Sequence, residues 1–271
     1  MKNSIGIFDS GVGGLTVLKE LLLKLPNEHF IYFGDTARLP YGDKSPETII
    51  NYSVENANFL LQKGIKLLVV ACNTASAHAL KALTKTVPIP IIGAIEPGAE
   101  WAVKTSTNKR IAILGTRGTI SSRAYEEAIL SKCPSAYVLP IACPLLVPLI
   151  EENMLDHPAT KLILSDYLRP IQEQKIDTIL LGCTHYPLLA PLIRTLVGDA
   201  IRVIDCAAPC AQKVQTVLQA QKIEANHQKS VCQFFVSDDA HKFERIGQKF
   251  LERDFSAEVR GGRDLMKQLQ K

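Results

Sequence analysis

The chain has 271 residues, 46% of them apolar and 21% charged, with a formal net charge of +4. That length suits one large packed domain or two smaller ones, and the absence of any run of about 18 apolar residues excludes a membrane-spanning helix. The charge is too mild to imply a nucleic-acid partner, and seven cysteines spread along the chain argue against a disulfide framework.

The N-terminus, MKNSIGIFDSG, lacks the apolar region and small-residue cleavage site of a signal peptide, so a cytoplasmic protein is expected. Short β-branched runs then recur: SIGIFD, HFIYFGD, IKLLVVA, IPIIGAI, KRIAILGT, DTILLGC and IRVIDC. Each is apolar nearly throughout, as strands covered on both faces must be. Between them lie helical spacings such as Leu15, Leu18, Leu21 and Leu22, or Tyr52, Ala57, Phe59 and Leu60. The alternation predicts an α/β fold with parallel sheets and helices on both faces. Further on, KSVCQFFVSDD reads as a strand and AHKFERIGQKFL as an amphipathic helix carried by Phe243, Ile246, Phe250 and Leu251. From His241 to Lys271 there are eight Lys/Arg against five Asp/Glu, which reads as a solvated helical face.

A weak internal repeat relates SIGIFDSGVGGLTV to RIAILGTRGTISS at 110–122. Each is followed by a strand that runs into a cysteine, in ACNTAS at Cys72 and GCTHYP at Cys183. Asp9 lies 63 residues before Cys72, and Gly115 lies 68 before Cys183. Two doubly wound halves of similar plan are therefore expected, the second beginning near Glu96–Asn108, with their strand C-termini facing each other across a cleft.

A thiol at a strand–helix junction meets the unpaired N–H groups of the first helical turn, which act as a partial positive charge and lower its pKa. Those N–H groups, with the hydroxyls of Thr74 and Thr184 and the Asn73 amide, form a nest for a carboxylate. Two such junctions would hold one carboxylate-bearing molecule between two moderately acidic thiols. Inverting a stereocentre by proton transfer needs that arrangement, a base on one face and an acid on the other. Cys133, Cys143, Cys206, Cys210 and Cys232 lack this context and read as packing residues.

Two other readings fail on spacing. DSGVGG is not a dinucleotide loop, because position 16 is Thr where a third glycine is needed, and no Walker lysine follows. The C-T-H at 183–185 and C-A-A-P-C at 206–210 contain none of the usual zinc pairs.

FDSGVGGLTV, YFGDTARLPYG, ACNTAS, CPLLVPLIEE and LGCTHYPLL, in this order and spacing, resemble the bacterial glutamate racemases of the aspartate/glutamate racemase superfamily. The resemblance runs from residue 5 to about residue 206. It implies two α/β domains, 1–96 completed by 207–271 and 97–206, sharing one active site. It also implies interconversion of L- and D-glutamate for peptidoglycan by a cytoplasmic homodimer, without a cofactor or metal. By the same resemblance Cys72 and Cys183 are the two proton donor/acceptors, assisted by Asp9 and His185 respectively. Ser10, Tyr41, Gly42, Asn73, Thr74, Thr116, Thr119, Thr184, Asp9 and His185 match substrate-contacting positions, and Glu151 is a further candidate near the site. An aspartate racemase or related isomerase is the alternative, with His185 in GCTHYP and Tyr41–Gly42 in PYG favouring glutamate. Some glutamate racemases also bind DNA gyrase, and the basic C-terminal segment is the feature that would serve such a second activity. Two departures from the family stand out. Cys206 occupies a position where serine is usual. The chain starts directly on its first strand, which puts activation by a cell-wall precursor in doubt.

Overall fold

In a computed structural model of the chain, the described residues are 3–225, 230–252 and 255. The basic C-terminal stretch singled out above therefore lies outside the described residues beyond Phe255. Strands and helices alternate along the chain. β1 (Ser4–Asp9), α1 (Leu15–Lys24), β2 (Phe30–Gly34), α2 (Pro46–Gln62), β3 (Ile65–Val70), α3 (Asn73–Thr86) and β4 (Ile91–Gly93) come first. α4 (Ile95–Thr105), β5 (Arg110–Gly115), α5 (Arg117–Ser121), α6 (Ala124–Lys132), β6 (Tyr137–Ala142), α7 (Leu146–Glu151) and α8 (Pro158–Glu173) follow. β7 (Thr178–Gly182), α9 (Ala190–Val197), β8 (Arg202–Asp205), α10 (Ala207–Gln221), β9 (Cys232–Val236) and α11 (Ala240–Leu251) complete the described order.

Two sheets result. One has the order β4-β3-β1-β2-β9 and the other β6-β5-β7-β8. Every pairing in both is parallel. The expected α/β class holds, and with it the apolar strand runs, because β1, β2 and β7 are buried along their whole length. Strand β9 joins the first sheet beside β2, pairing Phe30 with Cys232 and Gly34 with Val236.

Strand β6 is the element that no apolar run announces. It pairs only with β5, at the edge of its sheet, and carries Pro140 opposite Ile113. Its residues are half-buried or exposed. A proline cannot donate to a ladder and is tolerated at such an edge, where no neighbour asks for its N–H.

Helix α11 turns Phe243, Ile246, Phe250 and Leu251 inward, as its spacing requires. Burying four large apolar side chains contributes on the order of 2 kcal/mol each. That burial holds α11 against α1 and, through Phe250, against the His185 ring.

Candidate active site

Both sheets end toward one cavity. Asp9 closes β1, Cys72 follows β3, Thr116 follows β5 and Cys183 follows β7. Ser10, Tyr41, Gly42, Cys72, Asn73, Thr74, Thr116, Glu151, Cys183, Thr184 and His185 line it, with Leu39, Pro40 and Val147 as its apolar wall. Among the described residues no Lys or Arg lines it. The space for water centres is about 20 Å³, room for about one or two waters. A larger groove of about 640 Å³ between α1, α4 and α10 contains none of the thiols and lacks the chemistry of this cavity.

Cys72 has extended backbone angles and caps α3, where its Sγ accepts the Ala75 N–H at 3.4 Å. Ser, Thr, Asp or Asn usually fill that place. Its thiol also lies 3.8 Å from the Ser10 hydroxyl. Burial pushes the Cys72 pKa up to about 12, with the Asp9 charge adding to the rise and N–H groups of Ala75 and Ser10 opposing it. Burial likewise raises Cys183 well above the ordinary thiol range, against the N–H of His185. The moderately acidic thiols expected from the junctions are thus corrected. The helix-end groups act in the expected direction, but removing a thiolate from water outweighs them.

The two junctions also differ in form. After Cys183 comes a turn of 3₁₀ helix at Tyr186–Leu189, and α9 begins only at Ala190. Pro187 and Pro191 each fall in a first turn, where the missing N–H has no partner to lose.

His185 places Nδ1 4.0 Å from Cys183 Sγ and Nε2 3.1 Å from Glu151 Oε1. An Nε2–H donated to Glu151 leaves the Nδ1 lone pair facing the thiol. Phe250 meets the ring edge-to-face at 5.5 Å. Burial pushes Glu151 upward, but the His185 hydrogen bond and charge and the Lys242 charge hold it below the usual carboxylate range. Lys242 Nζ is 3.9 Å from its other oxygen. The sequence left Glu151 as a further candidate; the structure puts it in the wall, on His185.

Asp9 and Thr119 stand behind the lining residues. Asp9 is fully buried, accepting the Gly11 N–H at 2.9 Å and the Thr184 hydroxyl at 3.2 Å. Burial raises its pKa despite the His185 charge and those hydrogen bonds. Among the described residues no hydrogen bond joins Asp9 to Cys72; the two interact through charge. Thr119 closes a triangle of hydroxyls with Thr74 and Thr116, at 2.8 Å between Thr74 and Thr116 and 3.1 Å on the other two sides. That triangle joins the α3 end of one sheet to the α5 end of the other.

Tyr41 faces the cavity, but its hydroxyl donates to Asp35 and accepts from Asn56 Nδ2. The phenol oxygen is committed away from the cavity. Gly13 allows a close approach between the halves, since a Cβ there would overlap His185 Nδ1 and the Thr184 hydroxyl.

Three features escaped the sequence reading. Val147, Leu39 and Pro40 belong to motifs quoted above, yet nothing marked them as wall residues. Cys206, read as packing, lies 3.7 Å from Asn73 Nδ2. Tyr125, in no motif, donates to Asn73 Oδ1 at 2.6 Å. Among the described residues no cluster of three or more His, Cys, Asp or Glu is placed to share a metal ion.

Residues 16–214 match the family model described as Asp/Glu/Hydantoin racemase. The chain is 49% identical over 254 residues to a glutamate racemase of Geobacter metallireducens, covering 92% of each chain. A glutamate racemase structure from Bacillus anthracis superposes with a TM-score of 0.92 at 38% identity, covering 95% of this chain and 97% of that one. One from Francisella tularensis in complex with D-glutamate gives 0.90 at 33% identity, covering 96% and 97%. The chain belongs to the Asp/Glu/hydantoin racemase family.

Proposed function

We propose that this protein is a glutamate racemase that interconverts L- and D-glutamate by passing the Cα proton between Cys72 and Cys183. The observation that carries the reading is two thiols lining one cavity from two different sheets, each with a partner for its proton, in a chain whose relatives are named glutamate racemase.

The chemistry follows from that placement. A thiolate on one side takes the Cα proton, leaving a carbanion whose charge spreads into the adjacent carboxylate. The thiol on the other side then delivers its proton to the opposite face. One thiol and one thiolate remain, with their roles exchanged, ready for the other enantiomer. Raised thiol pKa values make each thiolate a stronger base toward a weakly acidic C–H, at the cost of its scarcity. His185, steadied by Glu151, is set to take the Cys183 proton through Nδ1. Asp9 acts on Cys72 through charge from its place behind Ser10. With no Lys or Arg in the wall among the described residues, the substrate carboxylates fall to the hydroxyls of Ser10, Thr74, Thr116 and Thr184, the Asn73 amide and the backbone around Tyr41 and Gly42.

We read the chain as two domains, 1–96 with 207–271 and 97–206. The membership of β9 in the first sheet and of β5 to β8 in the second supports this division. A cytoplasmic homodimer supplying D-glutamate for peptidoglycan completes the reading; no helix among the described residues is long and apolar enough to cross a membrane.

The test is a chiral assay on single variants. Cys72→Ala and Cys183→Ala should each lower racemisation by at least about a hundredfold, the scale of a lost acid–base group, while the far-ultraviolet circular dichroism stays that of the wild type. Either variant turning over near the wild-type rate would exclude the two-thiol scheme.

A further inference from the structure

Tyr125 touches both thiol junctions and belongs to neither. It is the second residue of α6, 2% exposed, and follows Arg123, whose left-handed backbone (φ 58°) starts the helix sharply. Its hydroxyl donates to Asn73 Oδ1 at 2.6 Å, on the residue after Cys72. Its ring lies on Gly182, the residue before Cys183, where an added Cβ would come within 3.0 Å of Tyr125 Cε2. One rigid side chain therefore spans from the backbone beside one thiol to the side chain beside the other, and the two thiols follow strands of different sheets.

The hydrogen bond has a second consequence. A carboxamide has two donors and one acceptor oxygen, and a phenol that donates fixes which end is oxygen. The Cys206 thiol lies beside the same amide, 3.7 Å from Nδ2 and 3.8 Å from Oδ1. Asn73 lines the cavity, and with one N–H directed at Cys206 its amide has a single donor left. Burial raises the Tyr125 phenol well above its ordinary value, with the neighbouring Cys206 adding to the effect, so the phenol is a donor near neutrality.

We propose that Tyr125 is a positioning residue for racemisation, orienting Asn73 toward the cavity and setting the spacing between the Cys72 and Cys183 junctions. The inference rests on the racemase reading for its kinetic consequence but not for its structural one, and the test separates the two. Tyr125→Phe removes the hydroxyl and keeps the ring; Gly182→Ala keeps the hydroxyl and presses on the ring. In each variant, the relative rates at which iodoacetamide labels Cys72 and Cys183 are read by peptide mass spectrometry, alongside glutamate kinetics for both enantiomers. The labelling ratio should shift at least about threefold from wild type in Tyr125→Phe. kcat/KM should fall about tenfold, the scale of one well-placed hydrogen bond. The fall must be equal in both directions, because the equilibrium constant between enantiomers is one. The partition between kcat and KM, and the primary isotope effects with 2-deuterated substrates, should differ between L- and D-glutamate, since only the Cys72 side loses its anchor. A merely structural loss would lower both enantiomers' parameters alike. An unchanged labelling ratio in both folded variants overturns the proposal whether or not the protein turns over glutamate. An inactive wild type with a shifted ratio would overturn the racemase reading and leave the positioning role standing.

Discussion

Each catalytic thiol proposed here is pulled in two directions, down by backbone N–H groups and up by burial, and burial wins. The consequence reaches the kinetics. For a group whose pKa is raised to about 12, as at Cys72, the thiolate is the minor form near neutrality and its population grows about tenfold per pH unit. kcat/KM reports the free enzyme, so it should climb from about pH 7 to about pH 8.5 without levelling. A plateau already reached near pH 7.5 would mean that the thiols are acidic in the free protein, as their junction positions alone would have it. His185 and Asp9 enter the charge balance of the site in different ways. The first lends its hydrogen bond and charge to hold Glu151 low. The second is itself raised by burial.

At the scale of elements, the site is made by strand ends and the first turns after them, and the hydroxyl triangle of Thr74, Thr116 and Thr119 is where the two sets meet. Thr74→Val keeps the shape and removes one corner. It should raise KM for glutamate about tenfold with a smaller change in kcat, measured by steady-state chiral assay; an unaltered KM would remove the triangle from substrate binding. Much of this was legible beforehand. The apolar runs announced every strand except β6, because a buried parallel strand must be apolar on both faces. An edge strand with Pro140 and half-exposed side chains carries no such mark. Cys72, Cys183, Asp9 and His185 were readable because each stands at a strand end within a long motif. Tyr125 was not, since the role proposed for it rests on a hydrogen bond between residues 52 positions apart. The 3₁₀ turn after Cys183 breaks the likeness between the two junctions, and no spacing in the sequence marks it. The sign of the thiol shifts needed burial, which no spacing reports.

For the whole molecule, five buried thiols make stability depend on alkaline pH. Cys72, Cys143 and Cys206 are raised to about 12 by burial, and Cys183 and Cys210 are raised as well. Above the ordinary thiol value the unfolded chain releases these protons while the folded chain keeps them, so stability falls as pH rises. By about pH 10 each thiol should cost on the order of 1–2 kcal/mol. The urea midpoint should therefore drop markedly between about pH 8 and about pH 10, and replacing Cys210 with Ala should make that drop shallower. A midpoint unchanged over that range would show that these thiols are not held protonated by the fold. The cavity itself, with about 20 Å³ for water centres, is too small for a molecule of about ten non-hydrogen atoms. A bound glutamate therefore requires the cavity, whose apolar wall is Leu39, Pro40 and Val147, to be wider than it is here.

The measurement that bears most directly on the central claim is incubation of the metal-stripped, pyridoxal-free protein with L-glutamate in D2O, and L-aspartate in parallel, read by chiral chromatography and mass spectrometry. The account predicts D-glutamate carrying deuterium at Cα, with aspartate unchanged. Inversion without deuterium at Cα, or turnover of aspartate alone, would contradict it.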